Sequence, residues 1–412
     1  MTQKRDIITG LDVGTTKICA LVAEREENGD IRILGVGTYP SRGLRKGEVI
    51  NITEAVASIE KAVSQAENIC EFEVTSVIAG ITGSHIQSFN SRAVLPVANP
   101  SIGVTRKDMF RAIDAAQAVP LPRDREVLHV IPQEFSVDDR KGIADPEGME
   151  GVRLEAQVHL VSGEVAARRN LVNCITQAGF EVEEFVLQQL ASSLAVVRKE
   201  EQQSGVVLVD IGGGTTDYVY FRDEIIRHTR VLGVGGDHLT NDISLGMKLL
   251  LRQAEELKKK YGSALSDRVT GDDELAILDA LVRPATGLSR KKLDRIIELR
   301  LTELFHLLRR DLEEEGHFQS IGSGLVLTGG GSLQKDIAAL AGQITGLPVR
   351  IGTPFGVSGL REIIDSPIYS TAVGLVKYGF LRRSSTDRSR GTGDRVPGVL
   401  FNGIKRWLDR YF

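Results

Sequence analysis

The sequence lacks most of the signatures that would settle a function at once. Its 412 residues contain three cysteines, Cys19, Cys70 and Cys174, widely separated and without a CxxC pair. That excludes a cysteine-ligated zinc cluster and a disulfide framework, and it suits a reducing cytoplasm. No window approaches 18 uninterrupted apolar residues, so no bilayer-spanning helix is expected. The opening MTQKRDIITGLDVG reaches polar residues and glycine too soon for a signal-peptide core. There is no GxxxxGKS/T, which excludes a Walker NTPase, and no GxGxxG with an acidic ribose partner, which excludes a Rossmann dinucleotide site. The formal charge of −4 argues against nucleic acid as a partner of the main body. What remains, with 42% hydrophobic and 26% charged residues, is a soluble globular chain long enough for two or more domains.

The first positive feature is a repeat. DIITGLDVGTTKICALVAE opens the chain, and GVVLVDIGGGTTDYVYFRD returns near its middle. Each reads as an apolar strand ending in an aspartate, a Gly/Thr turn, and a second apolar strand. The aspartates are Asp12 and Asp210; the turns are Gly14, Thr15 and Thr16 in one copy and Gly212, Gly213, Gly214, Thr215 and Thr216 in the other. Glycine turns let backbone N–H groups approach a phosphate closely, and threonine hydroxyls add donors. Lys17 can reach phosphate oxygens, and two aspartates across a cleft can hold a hydrated Mg²⁺. A single copy would read equally well as a plain hairpin; two copies in the same order favour a phosphate site. A third element, GLVLTGGGSLQKDIAALAGQITG, reads as strand, glycine turn and helix, an arrangement that admits anions and planar ligands.

DVGTTK, DIGGGTTD and LTGGGS together resemble the actin, Hsp70 and sugar-kinase superfamily. The resemblance implies an α/β, actin-like fold with two ribonuclease-H-like halves around an ATP–Mg²⁺ cleft. Asp12 and Asp210 would then hold the metal through water. Gly14 to Lys17 and Gly212 to Thr216 would take the phosphates, and Gly329, Gly330, Gly331 and Ser332 would line the adenosine. Glu255 and Lys258, in QAEELKKKYGSA, match the helix that contacts ribose and base. A helix EFVLQQLASSLAVVRKE (184–200) would connect the halves. Its Gln188, with Gln189 beside it, matches the water-orienting position; glutamine is a poor general base, so any hydrolysis should be slow.

More specific stretches run along nearly the whole chain. GITGSHIQSFNSRAVLPV, LHVIPQEFSVDDRKGIADPEGMEGVRLEAQVHLV and IYSTAVGLVKYG resemble the FtsA family of bacterial cell-division proteins. The resemblance implies a first actin-like subdomain at 1–83 and 162–200, interrupted at 84–161 by an inserted partner- or polymer-contact subdomain. A second actin-like subdomain would occupy 201–236 and 313–381, with a further subdomain at 237–312 that docks the C-terminal tail of FtsZ. The periodic RKKLDRIIELRLTELFHLLRRDLEEE fits that docking role and fits equally an amphipathic helix with one buried stripe. Self-assembly into filaments and contact with other division proteins are implied as well.

The chain's last segments have their own logic. From Arg382 onward eight Lys or Arg stand against three Asp, so the tail is basic while the body is acidic. RRSSTDRSRGTGDR reads as a flexible linker, 382–396, reaching roughly 20 Å. After it, Leu400, Phe401, Ile404, Trp407, Leu408 and Tyr411 share one helical face, with Lys405 and Arg406 on the other. This is the pattern of a C-terminal amphipathic helix, 397–412, lying in an anionic membrane surface. Gly403 inside it costs up to ~1 kcal/mol, so one tail binds weakly and stable attachment needs many joined together. The expectation is therefore an ATP-binding actin-like adaptor that tethers the FtsZ ring to the cytoplasmic face of the inner membrane at the division site, at most a weak ATPase. The rivals are a small-molecule kinase of the same superfamily and another bacterial actin-like scaffold, such as a pilus-assembly protein.

Overall fold

The computed structural model describes residues 5–268, 274–277 and 285–390. The first duplicated stretch forms strands Ile7–Val13 and Lys17–Arg25, paired antiparallel with Asp12 opposite Cys19. Ile31–Pro40 extends the meander on one side, while Ser76–Ile81 and Glu181–Leu187 add in parallel on the other. The second stretch repeats the plan. Val206–Ile211, Thr216–Arg222 and Ile225–Leu232 form the meander, and Gly324–Thr328 and Val349–Ile351 add in parallel. Every residue of Ile7–Val13 and of Val206–Ile211 is buried, because both faces of each sheet are covered. The duplication seen in the sequence is thus a duplication of whole five-stranded sheets.

The layers follow from which faces are apolar. Helices Ile52–Cys70 and Val165–Gln177 cover the outer face of the first sheet, where Ile59, Ala62 and Ile175 share a core with Leu11, Ile18 and Ala20. Helices Gln188–Val196 and Ser370–Arg390 form the middle layer. Ala191, Leu375 and Val376 meet Leu21 of one sheet and Leu208 and Val219 of the other, so one core joins the halves. The outer face of the second sheet packs on helices Gly236–Met247, Leu251–Tyr261, Arg290–Glu314 and Ile337–Thr345.

Between Ile81 and Val165 the chain builds a separate four-stranded antiparallel sheet from Gln87–Pro96, Arg153–Glu164, Arg125–Val137 and Arg140–Ile143. Helix Arg106–Gln117 closes it, starting at a capping box between Thr105 and Asp108. Its core, including Met109, Ile113, Phe135 and Leu154, is its own. It leans on the edge strand Ile225–Leu232 of the second half. Gln133 Nε2 donates to Ile226 O at 2.8 Å, Arg227 pairs with Glu134 at 2.7 Å, and His159 Nε2 lies 2.8 Å from Thr229 Oγ1.

Two expected segments differ. The connecting helix does not span 184–200: Glu181–Leu187 is a strand beside Ser76–Ile81, the helix begins at Gln188, and Val197 is already extended. Residues 382–390, expected as tether, continue helix Ser370–Arg390. Arg382 and Arg383 serve as anchors there, with Arg383 donating to Asp6 Oδ1 at 2.9 Å and Ile7 O at 2.7 Å, and Arg382 pairing with Glu184 at 3.0 Å. The rest of the linker and the amphipathic segment 397–412 lie outside the described residues.

Candidate functional site

The two hairpin turns close with the same hydrogen bond, Gly14 N–H to Lys17 O at 3.1 Å and Gly212 N–H to Thr215 O at 2.9 Å. Their tips face each other and touch. A Cβ on Gly213 would sit 1.8 Å from Thr16 Oγ1, and one on Gly214 would sit 2.7 Å from Thr15 Oγ1. Only glycine lets the second turn come this close to the first turn's threonines. Thr15 Oγ1 accepts from Gly47 N–H at 3.0 Å, and Thr16 Oγ1 reaches Asp237 Oδ1 at 3.4 Å. The latter contact crosses from one half to the other.

Behind the turns lie three buried carboxylates. Burial pushes Asp12 up to about 6; Lys17 opposes this and Asp210 adds to it. Asp210 is also raised by burial, although Ser192 and Thr371 donate to its Oδ2 at 2.7 and 3.2 Å. Asp217 stands opposite Asp210 across the second hairpin and is pushed up to about 7 by burial, with Asp210 and Asp12 adding repulsion. Thr82 and Thr215 donate to Asp217 at 2.6 and 3.1 Å. The nearby cation is Lys17, whose Nζ donates to Ile368 O at 2.9 Å and lies 4.6 Å from the Tyr369 ring centre. Clustered carboxylates with one lysine form a site deficient in positive charge. Cys19, opposite Asp12, is not a thiolate candidate, since burial pushes it up to about 11. Hard oxygen donors, hydroxyls and a thiol held protonated fit a hydrated Mg²⁺.

Gln188 is the first residue of its helix, and its Nε2 donates to Asp12 Oδ1 at 3.0 Å. The register between the two glutamines is therefore decided: Gln188 faces the carboxylates, while Gln189 is fully buried with its amide unpartnered. Lys258 Nζ lies 2.6 Å from Glu255 Oε2 and donates to Gly236 O at 3.0 Å and Thr240 Oγ1 at 2.7 Å. Burial works against the Glu255 carboxylate, but Lys258 and Thr240 outweigh it and hold it below the usual range. Gly236 N–H in turn donates to Gly212 O at 2.9 Å, which ties this pair to the second turn.

In the third element, Gly329 adopts φ +79, and a Cβ there would lie 2.2 Å from Asp210 Oδ1. Gly330 is open to solvent with nothing near its Cβ position, and Gly331 packs against Ile211. Ser332 is buried and donates to Gly329 O at 2.7 Å, so its hydroxyl folds the turn instead of facing the opening. Asp217, Ser192, Thr371, Thr82 and Asp237 are the members of the site that sequence reasoning misses. Asp217 alone has a local signal, as the last letter of DIGGGTTD.

Comparison with known proteins adds the family. A model of the cell division protein FtsA matches residues 207–374, and a model of the SHS2 domain inserted in FtsA matches 83–162. The chain is 40% identical to the cell division protein FtsA of Pseudomonas aeruginosa, covering 100% of this chain and 99% of that one. The chain belongs to the FtsA family of cell-division proteins. The FtsA of Escherichia coli K12 is 35% identical over 99% of each chain, and that of Borreliella burgdorferi 41% identical over 91% of each. Among solved structures, a type IV pilus biogenesis complex of PilM and PilN matches at TM-score 0.66 and 19% identity, over 90% of this chain and 98% of that one. MreB5 of Spiroplasma citri bound to ADP matches at TM-score 0.55 and 15% identity, over 94% and 99%. These two show that the FtsA-family chain has the actin-like fold.

Proposed function

We propose that this chain is an ATP–Mg²⁺-binding, actin-like adaptor that polymerises on the cytoplasmic face of the inner membrane and tethers the FtsZ ring there. One observation carries the nucleotide part: two matching Gly/Thr turns meet over buried, mutually repelling Asp12, Asp210 and Asp217 with Lys17 beside them. Magnesium, when bound, supplies the positive charge this cluster lacks and offsets that of the phosphates. The chain's own residues do the rest. Gly14 to Lys17 and Gly212 to Thr216 would hold the phosphates from both halves, Glu255 and Lys258 would serve the ribose and base, and Gly329 to Gly331 would line the adenosine. That MreB5 is solved with ADP accords with this reading.

Gln188 fixes the Asp12 carboxylate through its Nε2. Its amide oxygen can place a water but is a poor base, so turnover is slow and occupancy controls assembly. The Thr16–Asp237 contact and the shared middle layer convert occupancy into a defined angle between halves, which is what stacking of protomers requires.

Membrane and partner roles divide among the other parts. Leu400, Phe401, Ile404, Lys405, Arg406, Trp407, Leu408 and Tyr411 form the membrane contact, and filament assembly multiplies that weak anchor. The inserted subdomain offers a self-contained surface for neighbouring protomers and later division proteins. Exposed Leu245, Leu250 and Leu251, where helix Gly236–Met247 gives way to Leu251–Tyr261, suit docking of the FtsZ C-terminal tail. Reconstitution tests the whole. Labelled FtsZ should accumulate strongly on anionic vesicles only when this chain and ATP–Mg²⁺ are both present. Equal accumulation without nucleotide, or none with it, refutes the adaptor.

A further inference from the structure

A second cluster lies away from the cleft, at the edge strand Ile225–Leu232. His228, Glu315 and His317 each present one potential ligand atom, and these atoms lie within 4.8 Å of one another. The chain brings them together by a simple device. Helix Arg290–Glu314 ends, Gly316 adopts φ +72, and His317 N–H turns back to Leu312 O at 2.8 Å. Glu315 and His317 thereby face the same side. His228 comes from the sheet, opposite Tyr220, whose ring centre lies 4.9 Å from that of His317. The two imidazole centres are 5.8 Å apart.

His228 is also left short of a partner. It is 6% exposed, yet its Nε2 has no hydrogen-bond partner. A buried polar atom left unpaired costs about 1–3 kcal/mol and calls for an explanation. Asp311 Oδ2 lies 3.4 Å away, but that carboxylate is engaged by the Tyr218 hydroxyl and by Arg230 at 2.7 Å.

We propose that His228, His317 and Glu315 bind a divalent transition-metal ion of the zinc class. Two imidazoles and a carboxylate form a three-ligand set with room for a water in the fourth position. Ligand atoms around tetrahedral zinc stand about 3.3 Å apart, so the site must tighten by up to about 1.5 Å. Exposed Glu315, next to the Gly316 turn, can supply that movement. Imidazole ligands disfavour Mg²⁺, which separates this site from the cleft. The ion would pin the edge strand, on which the inserted subdomain rests through Thr229, to the end of helix Arg290–Glu314.

The test is direct binding to the full chain in excess Mg²⁺, with Zn²⁺ followed by chelator competition and Co²⁺ by its visible absorption. The expected result is one Zn²⁺ per chain and an intense four- or five-coordinate Co²⁺ band. Affinity should fall at least tenfold in Glu315→Gln and further in His317→Gln. Glu315 is exposed, so its variant keeps the fold, and far-UV circular dichroism checks both. Absence of Zn²⁺ binding by the parent, or parental affinity in either variant, overturns the proposal.

Discussion

Replacing Asp12 with asparagine should stabilise the metal-free protein at neutral pH, against the usual expectation for a buried polar change. The folded state holds Asp12 near about 6, while the free carboxyl titrates near 3.8. A raised carboxyl binds its proton more tightly when folded, so the associated stability is fully present below about 3.8 and is lost as pH rises through about 6. The rise from 3.8 to about 6 corresponds to about 3 kcal/mol, the strain of a buried charge facing Asp210. Asparagine cannot ionise, matches the shape, and keeps an oxygen for Gln188 Nε2. In chelator, its advantage over the parent should be near zero at about pH 4 and grow to about 1–3 kcal/mol at about pH 8, with the upper value set by the full rise. Urea or thermal unfolding of both proteins across that range measures it. Magnesium with ATP should reverse the order, because the parent gains a ligand that the variant does not hold. A variant less stable than the parent throughout, or a difference that does not change with pH, would refute the claim of a charge-starved cluster.

Other outcomes follow from the same geometry. Asp210→Ala should abolish Mg²⁺-dependent nucleotide binding in a fluorescent-nucleotide titration; unchanged affinity would remove the site assignment. Gly213→Ala, whose Cβ would lie 1.8 Å from Thr16 Oγ1, should force the turns apart and weaken nucleotide binding at least tenfold with little loss of secondary structure. Leu251→Asp should weaken binding of an FtsZ C-terminal peptide several-fold while leaving nucleotide affinity as it is. Trp407→Glu should release the protein from anionic vesicles in flotation without affecting ATP binding, and a variant that still floats would show the anchor to be elsewhere.

The hairpins are legible in the sequence because their chemistry is local: an aspartate, a glycine turn and threonines fall within seven residues, twice. The carboxylate network around them is not. Asp217 ends DIGGGTTD, but its place opposite Asp210 comes from strand register, which that letter alone does not announce. Ser192, Thr371 and Thr82 reach these aspartates from distant helix and strand ends, and nothing beside them in the sequence marks the meeting point. The connecting helix reads too long because Glu184 and Phe185 suit a helix as well as a strand; pairing with Ser76–Ile81 decides it. Arg382 and Arg383 look like the start of a tether, being charged and followed by serines. Their partners Glu184 and Asp6 lie far away in sequence, so the ion pairs that hold this helix end leave no local trace. Ser332 reads as a lining residue from its place after three glycines, whereas its hydroxyl turns inward to Gly329.

The most direct measurement is cosedimentation of the full chain, and of a chain ending at residue 396, with anionic vesicles in the presence and absence of ATP–Mg²⁺. The account predicts strong pelleting for the full chain with nucleotide, weak pelleting without it, and none for the shortened chain. Equal pelleting of both chains, or pelleting that ignores nucleotide, would contradict it.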